Sequence, residues 1–67
     1  MGNMWVEVKT APNLMLAEMW KEAFEGEGVP TMLMPVNGLP LGQEFAEYSV
    51  KVPADKEHII KEVLRKL

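Results

Sequence analysis

Met4-Trp5-Val6-Glu7-Val8-Lys9 alternates in character, with Met4, Val6 and Val8 on one side and Trp5, Glu7 and Lys9 on the other. Such period-two patterning marks a β-strand with one buried face, because successive side chains of a strand point to opposite faces. The reading puts the valines toward a core and a large indole away from it. Thr10-Ala11-Pro12-Asn13 then punctuates the chain. Thr10 or Ala11 is expected as the last residue before a helix, since Pro12 suits a first helical turn, where its missing N–H costs nothing.

A helix is expected from about Pro12 to Glu27. At 100° per residue, Leu16, Ala17, Trp20, Ala23 and Phe24 fall in one stripe with Met19 on its flank, and Glu18, Lys21, Glu22 and Glu25 lie opposite. Gly28 tolerates positive φ and Val29-Pro30 follows, a common way for a helix to stop. Thr31 to Val36 is too short for a helix between Pro30 and Pro35, so it reads as a strand. Pro35 lacks a backbone donor, which places that strand at a sheet edge. Asn37 to Ala46 is dense in turn formers and reads as a loop. Glu47 to Val52 alternates again, with Tyr48, Val50 and Val52 inward and Ser49 and Lys51 outward. Pro53 ends this strand and Asp55 helps open a last helix, on which Ile59, Ile60, Val63, Leu64 and Leu67 form an apolar stripe. Its cationic final turn complements the helix dipole.

The order is β-α-β-β-α, a single α+β domain over residues 1–67. A right-handed β-α-β crossover with the third strand inserted between the first two gives the split unit of ferredoxin-like folds. The expected sheet has order 1-3-2 with antiparallel neighbours and both helices on one face. The fourth strand usual in such folds is missing, so the first strand is left as an edge open to pairing.

These residues carry a family resemblance that spans Trp5 to Leu67. Its marks are Thr10, Ala17-Glu18, Gly28-Val29-Pro30, Gly38 to Pro40, and Val52-Pro53 followed by Asp55. The chain resembles the prokaryotic signal-transducing protein family, small bacterial domains whose fold is related to the nitrogen-regulatory PII proteins. The resemblance implies a PII-like fold and a regulatory or binding role. It also implies an alternative, a sensor that binds a nucleotide or metabolite between subunits.

Composition narrows the function classes. With 48% apolar and 25% charged residues the chain is globular rather than disordered. Cysteine is absent, so disulfides and thiolate metal sites are excluded. The opening residues have neither a basic cluster nor an apolar run, and the longest uncharged stretch, Gly28 to Gln43, is broken by prolines and glycines. Neither a secretory signal nor a membrane helix is expected, and a cytoplasmic location is. The net charge of −3 disfavours a phosphate backbone, and the strand positions matching Trp5, Ser49 and Lys51, lack stacking aromatics. Nucleic acid is not an expected partner.

No catalytic constellation is legible. Ser49, Thr10 and Thr31 are candidate hydroxyl nucleophiles, but His58 is the sole histidine and lies on a different element from any of them. Asp55, His58 and Glu62 share a helix flank at i, i+3 and i+7, a spacing that more often gives a solvated face than a metal site. The glycines Gly38 and Gly42 precede a strand rather than a helix, so no phosphate-cradling loop is present. No catalytic residue, cofactor or metal is assigned. What remains is surface. Trp5 points away from the helices, joined by Leu33 or by Met32 and Met34 according to the pleat of the second strand, and Leu39 and Leu41 add apolar side chains on the loop. Exposed apolar patches mark interfaces, and methionine adapts to varied partners. The expected function is a non-enzymatic regulatory or protein-interaction module, with self-association through the open sheet face or first-strand edge, or docking to another protein.

Overall fold

The structure, a computed structural model, describes residues 4–36 and 46–66. Its elements run β1 (Trp5–Ala11), α1 (Leu14–Gly26), β2 (Met32–Pro35), β3 (Tyr48–Pro53), a 3-10 turn (Ala54–Lys56) and α2 (Glu57–Arg65). The strands form one sheet in the order β1-β3-β2, with β3 antiparallel to both neighbours. This is the expected split β-α-β arrangement. Both helices cover the same face, because Phe24 of α1 and Ile60 of α2 meet Val50 and Val52 of β3 in one fully buried cluster with Val29.

A second cluster, Ala11, Ala17, Ala46 and Tyr48, fills the other end of the same interlayer space. Trp20 and Leu33 pack against both clusters and join them into one core. Tyr48, Val50 and Val52 are all inaccessible, as their alternation on the central strand requires.

β1 departs from the simple alternation. Val6 lies opposite Val52 and Glu7 opposite Lys51, but Lys9, not Val8, lies opposite Val50. Val8 is therefore an inserted residue, a β-bulge in which two residues face one on the partner strand. The insertion reverses the parity of everything after it. Lys9, expected on the open face with Trp5, sits instead on the helix side, where its Nζ lies 4.8 Å from the centre of the Trp20 ring. A cation over an indole face is attracted by the ring quadrupole, which compensates the ammonium for partial burial. The same reversal carries Ala11 into the core opposite Tyr48.

Because β1 runs on to Ala11, α1 begins later than the Pro12 start expected from sequence. Asn13 is the N-cap, and its side-chain oxygen accepts a hydrogen bond of 2.9 Å from the Leu16 N–H. Asparagine is among the strongest N-caps, and Ala11 among the weakest residue types for that place. The helix ends in a Schellman motif. The Val29 N–H donates to the Phe24 carbonyl at 3.2 Å and the Gly28 N–H to that of Glu25 at 3.0 Å, while Phe24 and Val29 pack together in the core. Gly28 has φ +84 with open space around the missing Cβ. Gly28→Ala is therefore expected to cost about 1–2 kcal/mol from backbone strain alone, read as a lower urea midpoint with an unchanged slope; an unaltered midpoint would contradict the motif.

β3 extends to Pro53, paired with Trp5, and the Ala54 N–H adds a 2.8 Å bond to the Met4 carbonyl. α2 then follows the 3-10 turn, later than the Asp55 opening expected. No helix among the described residues is long and apolar enough to cross a membrane.

Candidate functional site

The register sorts the sheet side chains. Val6, Val52, Val50 and Leu33 point to the helices, so the opposite face carries three cross-strand rows: Trp5–Pro53, Glu7–Lys51–Met32 and Thr10–Ser49–Met34. Trp5 is on the open face, as the alternation requires, and it is 36% exposed. Met34 is 42% exposed and Met32 half-buried. The pleat of β2 thus selects Met32 and Met34 over Leu33. Leu33 lies opposite Val50, packs against both core clusters, and so is removed from the candidate surface. Leu39 and Leu41 lie outside the described residues.

Polar groups organise the middle of this face. The Ser49 hydroxyl donates to Glu7 Oε1 at 2.6 Å, a short charge-assisted bond between β3 and β1. Ser49 is only 5% exposed, so its hydroxyl is committed to holding the Glu7 carboxylate across the sheet. Lys51 stands directly opposite Glu7. The face therefore has apolar groups at two ends, Trp5 on one edge strand and Met34 on the other, and one charge of each sign between.

Ser49 and His58 are not brought together. Ser49 faces away from the helices and His58 is on α2, in the other layer. Among the described residues no group of three or more His, Asp or Glu side chains stands close enough to hold a metal ion, so Asp55, His58 and Glu62 do not converge. His58 and Glu62 instead line a concavity of about 400 Å³ with Glu27, Ile59, Val63 and Lys66, between the end of α1 and the flank of α2.

α1 holds a surface that the sequence reading assigned to the core. Only Ala17 and Phe24 are buried, with Leu14 and Trp20 partly so. Leu16 and Met19, both placed in or beside the buried stripe, are 38% and 58% exposed; Ala23 and Met15 are exposed as well. A narrow sheet roofs only one stripe of a helix. α1 has apolar residues over a far wider arc than that, and this width is the signal that marks the excess. α2, by contrast, is cleanly two-sided.

No protein-family model, no curated protein and no solved structure matches the chain.

Proposed function

We propose that the chain is a non-enzymatic interaction module that pairs with a second copy of itself through the open face of its sheet, and that its role is regulatory. The observation that supports this most directly is the placement of Trp5, Met32 and Met34 on a sheet face with no layer of secondary structure over it among the described residues. Sheets bury such faces by packing on another sheet about 10 Å away.

The charges on this face favour a second copy as the occupant. A two-fold interface joins the same patch on both subunits, so the patch must complement itself. Glu7 and Lys51, opposite in sign and adjacent in register, do so: a two-fold axis between them sets each Glu7 against the Lys51 of the second copy. A regulatory role accords with the family resemblance read from Gly28-Val29-Pro30 and Val52-Pro53.

Sedimentation equilibrium at micromolar concentration tests the proposal. The wild-type chain is expected to be a dimer. Trp5→Glu combined with Met34→Glu is expected to remain folded by circular dichroism, because neither side chain belongs to the core clusters. It should weaken association at least a hundredfold, roughly 2.7 kcal/mol. A wild-type chain that stays monomeric at these concentrations would refute the proposal, as would a dimer indifferent to both substitutions.

A further inference from the structure

We infer that the outer edge of β1 is the docking site for an extended strand of another protein, which adds to the sheet beneath an overhang of α2. The two layers of the molecule are unequal in width. α1 lies centrally, packed most extensively on β3 and equally on β1 and β2 to either side, whereas α2 lies against β1. Neighbouring strands stand about 4.8 Å apart and packed helices about 8–10 Å apart. With α1 over β3, the axis of α2 therefore falls roughly 3–5 Å outside β1. A strand added beside β1, at ~4.8 Å, runs beneath that axis.

Side chains mark the same slot. Val6 and Val8 of β1 and Leu64 of α2 pack at the margin of the core and stay half-buried, and Met4 is 66% exposed. On α2, Ile59 and Val63 line the concavity shared with Glu27 of α1. At about 100° per residue, Leu64 falls on the other side of the buried Ile60, the flank over the β1 edge.

The backbone of this edge is open to pairing. The Ala54 N–H donates to the Met4 carbonyl at 2.8 Å. Bonded and non-bonded pairs alternate along an antiparallel ladder, so Met4 and Val6 bond inward to β3, and the N–H and C=O of Trp5 and Glu7 point outward. Pro53, opposite Trp5, has no N–H to give, in agreement. The bulge at Val8 shifts the phase, so that the next outward residue is Thr10, out of step with a regular strand. Pairing is thereby confined to residues 4–8. The other edge of the sheet is blunted. The Val36 N–H donates to the Glu47 carbonyl at 2.9 Å, so Leu33 and Pro35 are the outward residues of β2, and Pro35 lacks a donor.

A second copy does not fit this slot. A two-fold axis pairing β1 with its counterpart stands perpendicular to the sheet and keeps both helix layers on one face. Each α2 would then overhang the other copy's β1, with the two axes within about 6 Å, closer than helices pack. A strand that brings no helix of its own fits. Cross-strand pairing sets its chemistry: β-branched apolar residues opposite Met4, Val6 and Val8, a lysine opposite Glu7, and a threonine opposite Trp5. Strand addition draws affinity from main-chain bonds and specificity from alternate side chains. This edge is separate from the open face proposed for self-association.

The test uses a capped peptide of about seven residues, an ordinary strand length, in which valines alternate with threonine and lysine. It is added to the full chain, and amide hydrogen exchange is followed residue by residue. The Trp5 and Glu7 amides are expected to exchange fast in the free chain and about tenfold or more slowly with saturating peptide, while Val6 changes little. N-methylating the peptide's threonine and lysines, whose N–H groups face β1, should abolish binding. N-methylating its valines, whose N–H groups face away, should not. Glu7→Pro removes an outward donor without breaking the β1–β3 ladder, and should abolish binding in a chain that remains folded by circular dichroism. The inference is overturned if the peptide leaves these amides unchanged, or if the two methylated peptides bind alike. It also fails if the Trp5 and Glu7 amides of the free chain become protected as its concentration rises, since a second copy would then fill the edge.

Discussion

Phe24→Ala is expected to leave the chain without a cooperative fold at 25 °C. Phe24 is fully buried and packs with Val29, Val50, Val52 and Ile60, so it joins α1, the central strand and α2 in one contact set. It also packs on Val29 across the Schellman turn and lies 5.7 Å, ring centre to ring centre, from Trp20. Truncating a buried phenylalanine costs about 3–5 kcal/mol, from lost transfer free energy and the cavity left behind. A single core in a chain of this size rarely supplies more than ~3–5 kcal/mol in total, and this chain has no cysteine to cross-link it. The expected cost therefore equals the whole stability. Thermal melting by circular dichroism is the measurement: the wild type should show a sigmoidal transition and the variant a featureless slope. A variant that still melts cooperatively would mean that the core is not centred on Phe24, or that self-association supplies stability the isolated chain lacks. Repeating the melt across a range of protein concentrations distinguishes the two.

The second large effect concerns strand parity. Deleting Lys51 from β3 makes Val50 and Val52 adjacent, and adjacent strand residues face opposite sides. No register then keeps both valines under the helices, although both are completely buried in the native chain. One valine must move to the open face, and loss of the fold is expected. Deleting Val8 from β1 should have a far smaller effect. Glu7 already pairs with Lys51 and Lys9 with Val50, so removing the inserted residue makes the ladder regular and changes the face of no other side chain. The cost is the packing of a half-buried valine, about 1 kcal/mol, roughly half of what fully burying such a side chain contributes. Urea denaturation of the two deletion variants decides the matter. If Val8 deletion unfolds the protein as fully as Lys51 deletion, the bulge is not where the register places it.

These two results bear on the surfaces proposed for binding. The bulge lets one short strand present Trp5 and Glu7 to the open face and still send Lys9 and Ala11 toward the helices. A regular strand with the Trp5 end held fixed would place Ala11 outside, opposite in face to Tyr48, and would expose Lys9 beside Glu7. The ammonium would then add a second positive charge to the face and end the balance of Glu7 against Lys51. The self-complementary character of that face thus depends on one inserted residue.

Much of the architecture was legible in local patterns. The alternation of Tyr48, Val50 and Val52 identifies the central strand and its buried side, and Gly28 with Val29-Pro30 marks the end of α1. The topology follows from element order and the short connections available. Trp5 could be assigned to the open face because it precedes the bulge, where simple alternation still holds. The choice between Leu33 and its methionine neighbours could not be made from sequence, because three apolar residues in a row carry no period; pairing Leu33 with Val50 decides it.

The amino-acid sequence by itself determined the elements, their order and the inward face of the central strand, since each rests on interactions among residues a few positions apart. Only the tertiary structure decided the bulge at Val8, the place of Lys9 over Trp20, and which part of an overly apolar α1 is left uncovered. Those features depend on which residue of one element lies opposite which residue of another, and on how much of a helix three strands can roof. Neither quantity is encoded in the periodicity of a single segment.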